Sequence, residues 1–156
     1  MARAKKVIEC EPWQFRGQPF PEEGADGYEG FVYLITMPNG KKYIGKKFFN
    51  GMRKQKGKKR RSKVASNWMT YFSSSEYINN YVKENGTKGI RRDILSLHEL
   101  KRDVNFCEIL YQFQYNVLEE KDANGERVWL NDQINGKWWP HLVMGWRDRS
   151  DVCLPL

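Results

Sequence analysis

A chain of 156 residues, 40% hydrophobic and 29% charged, is long enough for one compact soluble domain with its own core. No apolar run approaches the roughly 18–20 residues of a membrane span, and the basic start Met1-Ala2-Arg3-Ala4-Lys5-Lys6 meets Glu9 and Glu11 rather than a signal-peptide core. No membrane partner is therefore expected, the default location is cytoplasmic, and the net charge of +8 makes nucleic acid the leading partner class.

Residues 1–28 read as an irregular arm, because Pro12, Gly17, Pro19, Pro21, Gly24 and Gly27 break any periodicity. Trp13, Phe15 and Phe20 imply that this arm packs on the domain. A hairpin follows, with the β-branched and aromatic run 31–36 as one strand and Lys42-Tyr43-Ile44 in the other. Pro38 suits the first turn position, and Gly40 suits a left-handed residue closing a three-residue loop with a bulge. That loop pairs Ile35 with Tyr43 and Tyr33 with Gly45, so Tyr33, Tyr43 and Lys47 share one face. Gly45 opposite Tyr33 leaves room above the backbone.

Residues 48–53 read as a helix start, followed by the basic run 53–63 as a loop. Ser73-Ser74-Ser75-Glu76 has capping-box spacing with Ser73 at the cap, and Tyr77, Ile78, Tyr81 and Val82 form the apolar stripe of the helix it starts. Asn85-Gly86 ends that helix. Residues 90–97 read as a third strand and 102–121 as a long helix. Cys10, Cys107 and Cys153 are far apart, and with two histidines they exclude a Cys/His zinc site. His98 reads as a surface residue at a helix start and His141 as packed beside Trp138 and Trp139.

At this point Gly30-Phe31-Val32-Tyr33, followed by Tyr43-Ile44-Gly45, resembles the two-part signature of the GIY-YIG nucleases. Arg53 stands where that family places its catalytic arginine. Glu108 lies in the first half of the long helix, where the family has its metal ligand. Asn131 best matches an asparagine that follows that helix. The resemblance covers residues 30–135, and the stretch 68–75 is similar to small free-standing phage members, the Seg-like homing endonucleases. It implies an α/β GIY-YIG fold with a small, mainly antiparallel three-stranded sheet flanked by helices, occupying 29–135. A Trp-rich extension, 136–156, packs on it.

The resemblance further implies a metal-dependent DNA endonuclease of phage or mobile-element origin, acting on double-stranded DNA with one Mg²⁺ or Mn²⁺ ion. A hard cation takes few carboxylates and several waters, which one glutamate satisfies. Arginine's fork of donors matches phosphate. Family precedent gives Tyr33 the role of base or water-orienting group, which needs a nearby cation because a tyrosine titrates near 10. Many members also carry a histidine on the first helices, and none lies between Tyr43 and Leu97 here. Lys47 is the preferred substitute and Tyr71 the other. Beside such a site, Lys46, Lys54, Lys56, Lys58, Lys59, Arg60, Arg61, Lys63 and Tyr71 are the expected DNA contacts. The alternative is a catalytically inactive nucleic-acid-binding protein on the same fold. Target specificity and oligomeric state are not legible in the sequence.

Overall fold

The computed structural model describes residues 9–134. In chain order these carry β1 (Gln14–Phe15), β2 (Gln18–Pro19), β3 (Gly30–Thr36), β4 (Lys42–Phe48), β5 (Asn50–Lys54), β6 (Arg61–Ala65), α1 (Glu76–Asn85), β7 (Arg91–His98) and α2 (Lys101–Gln114). The extension 136–156, with Trp138, Trp139, His141, Trp146 and Cys153, lies outside the described residues, as does the basic start.

The β3–β4 hairpin forms as its loop chemistry dictates. The Met37 N–H donates to the Lys41 carbonyl at 2.8 Å, and Gly40 holds the left-handed conformation at φ 85°. The expected register holds, with Ile35 opposite Tyr43 and Tyr33 opposite Gly45. β7 pairs with the other edge of β3, antiparallel.

The sheet is larger than the three strands expected. β1 lies parallel to β7 and antiparallel to β2, giving five strands in the order β2-β1-β7-β3-β4. Residues 14–19 are thus a tight hairpin rather than irregular chain, turning at Arg16 and Gly17 with φ of 51° and 77°. Two-residue strands are too short for any periodicity to register. Pro19 is tolerated because β2 is the outer edge.

Residues 48–53 form no helix. β5 pairs with β6 as a separate two-stranded ribbon, with Arg53 opposite Ser62. Gly51 and the crowded cations disfavour a helix there, while the partner strand supplies hydrogen bonds that no local window reveals. α2 ends at Gln114 instead of 121, because Asn116 turns left-handed at φ 47°. Val117 nevertheless reaches the core, so its apparent helical spacing is coincidental. The cap of α1 is Ser75, not Ser73, whose hydroxyl accepts the Ser75 N–H at 3.0 Å. His98 is buried at the end of β7, 2.7 Å from the Ser96 hydroxyl, rather than at the surface.

The sheet has an apolar cluster on each face. Phe31, Tyr33 and Ile35 meet Trp13 and Phe20 of the arm, Trp68, Phe72, and Ile78 of α1. Val32 and Ile44 meet Cys107 and Tyr111 of α2, with Val117 and Trp129. The arm does pack on the domain, with Trp13 only 1% exposed. No helix among the described residues is long and apolar enough to cross a membrane.

Candidate active site

β4 is the outer strand of the sheet, its Lys42 end bridged to Trp129, and a cleft of about 510 Å³ lies against it. Tyr33, Tyr43 and Gly45 line it from the hairpin, Glu108 from α2, and Asn131 from the segment beyond. The two tyrosines belong to one face of the sheet and α2 to the other, so the cleft wraps around the strand edge. Gly45 makes that passage possible. A Cβ there would lie 2.4 Å from the Tyr33 hydroxyl, so only a bare backbone lets the phenol cross the strand.

Asn131 keeps this edge in shape. Its Oδ1 accepts the Ile44 N–H at 3.0 Å and its Nδ2 donates to the Ile44 carbonyl at 2.7 Å, imitating a neighbouring strand. Gln112 of α2 donates to the same carbonyl at 3.2 Å. The asparagine amide is thereby engaged with backbone, so its part in the site is to position Ile44 and Gly45.

The Glu108 side chain is 15% exposed and forms an ion pair with Lys46, itself one third exposed. Burying a carboxylate without a cation is costly, and Lys46 supplies one. Lys46, expected as a DNA contact, thus lines the cleft itself. Glu76 and Asp132 line the same cleft.

The tyrosines form a chain. The Tyr43 hydroxyl lies 3.0 Å from Ser74 Oγ. The Tyr33 and Tyr71 rings meet edge to face at 6.1 Å, and their hydroxyls are hydrogen-bonded in the sense that favours ionising Tyr71 over Tyr33. Lys47 Nζ sits 3.8 Å from the centre of the Tyr71 ring and donates to Asn67 Oδ1 at 2.8 Å. The two candidate substitutes for the family histidine are therefore in contact with each other. Burial, then the neighbouring phenols Tyr71 and Tyr43, push the Tyr33 hydroxyl well above the usual tyrosine value. Burial raises Tyr43 and Tyr71 as well, while hydrogen bonds from Tyr33 and Ser74 moderate the rise at Tyr71. Burial, then the nearby Arg53, holds Lys47 below the usual lysine value. Arg53 itself is exposed on β5 and near enough to exert that effect. Lys54, Lys56, Lys58, Lys59, Arg60, Arg61 and Lys63 are all exposed on the ribbon.

The family model SegE_GIY-YIG, the GIY-YIG domain of endonuclease segE, matches residues 13–134. The chain belongs to the GIY-YIG endonuclease family. No individual curated protein and no solved structure matches it significantly. The match begins at Trp13, so this GIY-YIG domain includes β1 and β2 as well as the signature hairpin.

Two residues of this GIY-YIG site escaped the sequence reading. Ser74 reads in the sequence as part of a helix cap, yet it meets Tyr43. Arg92 is 3% exposed, and no carboxylate among the described residues pairs with it. It donates to the carbonyls of Met69 and Tyr71, at 3.0 and 2.8 Å, and to that of Glu11, and it lies over the rings of Trp13 and Phe72. Arg92 thus ties the arm to the segment that carries Tyr71. Its signal was its place between Ile90 and Ile94 at strand spacing, an arginine where an apolar residue belongs.

Proposed function

We propose that this nuclease is a metal-dependent endonuclease that hydrolyses phosphodiester bonds of double-stranded DNA, using one Mg²⁺ or Mn²⁺ ion. The observation that carries the reading is the meeting, across Gly45, of a buried tyrosine hydroxyl and a half-buried glutamate in one open cleft. The donor set fits such an ion. Glu108 already attracts a cation, Lys46, and hard divalent ions take one carboxylate plus waters. An ion held there by Glu108 would supply positive charge against the charge that develops on the phosphate and would make a water more acidic.

The chain's own residues do the rest. Tyr33 enters the reaction protonated, because burial holds its hydroxyl well above neutrality. It orients the attacking water and, as it takes that water's proton, gives its own to Tyr71, which releases a proton to solvent; the Lys47 ammonium over the Tyr71 ring favours the negative charge that forms on the way. Lys47 and Tyr71 together replace the histidine. Arg53, with its fork of donors free at the surface, meets the scissile phosphate. Tyr43, held by Ser74, and Asn131, holding Ile44, fix the walls. A phage or mobile-element origin, with action in the host cytoplasm, completes the reading and rests on the likeness to free-standing members alone.

The test is a plasmid assay. Supercoiled DNA should be nicked or linearised with Mg²⁺ and left intact with chelator. Binding without cleavage under all metals would instead mark an inactive nuclease fold.

A further inference from the structure

Residues 30–75 contain twelve lysines and arginines and no acidic residue. Eight of the cations lie within 50–65, on the β5–β6 ribbon and its tip. The ribbon belongs to no other sheet. Its base is fixed: Ser66 donates to the Phe49 carbonyl at 2.9 Å and to the Phe48 carbonyl at 2.7 Å, and Phe49 is 3% exposed. Its tip turns at Gly57, with the Lys58 N–H bonded to the Gln55 carbonyl at 3.1 Å.

The register divides this ribbon into two faces of different character. Met52 lies opposite Lys63, and Lys54 opposite Arg61. Directly opposed residues share a face, so these four stand together, all exposed, with Met52 at 52% and Lys63 paired with Glu29 at 3.3 Å. Arg53 pairs with Ser62 and takes the other face, within electrostatic range of Lys47. Two strands about 4.8 Å apart fit a major groove about 12 Å wide. Lysine and arginine donors suit guanine O6 and N7, and an apolar tip suits a thymine methyl.

We propose that the β5–β6 ribbon enters the major groove of duplex DNA beside the cut and reads base edges with Met52, Lys54 and Arg61, while Arg53 on its opposite face serves the scissile phosphate. The proposal rests on the DNA-nuclease reading above. It adds that the ribbon gives the enzyme a sequence preference. From its base the ribbon extends about seven residues, roughly 23 Å at about 3.3 Å each. The reading side chains span two residues along a strand, roughly 7 Å, which at about 3.4 Å per base pair is a reading window of about two to four pairs on one side of the cut.

Methylation interference on wild-type protein bound in chelator tests this. Methylation of guanine N7, in the major groove, should weaken binding roughly tenfold at positions within that window. Methylation of adenine N3, in the minor groove, should have no effect. In Lys54→Ala/Arg61→Ala the N7 interference should disappear at those positions, and circular dichroism should be unchanged because both side chains are exposed. Interference confined to adenine N3 would overturn the proposal. So would N7 interference that survives the double substitution, or a double variant that binds every sequence uniformly more weakly, the mark of phosphate contacts alone. If the wild-type protein cuts plasmid yet fails these tests, only the groove reading falls. If it neither binds nor cuts duplex DNA, the nuclease reading falls with it.

Discussion

Glu108→Gln separates the metal-holding role proposed for the glutamate from its structural one. Glutamine keeps the shape and still accepts from Lys46, but it removes the charge that attracts a divalent cation. Breaking an exposed ion pair costs about 0–1 kcal/mol, and orphaning a buried one about 3–5 kcal/mol. Here the glutamate side chain is 15% exposed and the lysine 33%. The lysine ammonium can turn to water, so the loss should sit near the lower figure, about 1 kcal/mol. For a chain of this size that lowers Tm by about 2–4 °C. Cleavage should suffer far more, because losing the ion removes about 4 kcal/mol or more of transition-state stabilisation, roughly a thousandfold in rate. Duplex affinity should hold or rise slightly, since one carboxylate repelling phosphate is gone. Plasmid cleavage across a Mg²⁺ titration, beside a thermal melt, reads both quantities. A variant that cuts within threefold of wild type in limiting metal would refute the assignment, and Glu76 and Asp132 would become the candidates.

Arg53→Ala should lower cleavage by roughly a hundredfold, the cost of one lost charge contact in the transition state, with Tm unchanged because the side chain is exposed; an unaffected single-turnover rate would show the arginine is misassigned. Gly45→Ala would set a Cβ 2.4 Å from the Tyr33 hydroxyl, so it should cost about 1–3 kcal/mol in urea unfolding and abolish cleavage together; normal activity would mean the phenol can move at no cost. The raised Tyr33 value also has a stability consequence. Above about pH 10 the unfolded tyrosine loses its proton while the buried one keeps it, so stability is fully present below that pH and falls as pH rises beyond it. Tyr33→Phe should therefore show a shallower decline of the urea midpoint between pH 9 and 11 than wild type; parallel curves would contradict the burial argument.

Much of the site was legible because it depends on local geometry. Met37 to Lys41 specify a loop length, the loop length fixes the register, and the register puts Tyr33 over Gly45. The offsets of Arg53 and Glu108 came from the family pattern. What escaped the reading depends on partners distant in sequence. β5 looked helical until β6 supplied its hydrogen bonds. β1 is two residues long and exists because β7 offers an edge. The engagement of Lys46 with Glu108 spans 62 residues, and nothing near either residue announces it. Arg92 was the one miss with a visible clue, since its strand neighbours on the same face are isoleucines.

The bond between Asn131 and Ile44 joins positions 87 residues apart, and this affects when the enzyme becomes active during synthesis. Most of the tyrosine wall is made early, in the first half of the chain. The glutamate comes later, and the clasp that holds the strand edge beside Gly45 later still. Contacts of such separation form slowly and only once both ends exist. A nascent chain therefore carries both tyrosines and the arginine for much of its elongation without an assembled site. Such an order of assembly would delay cutting activity until nearly the whole domain has been made.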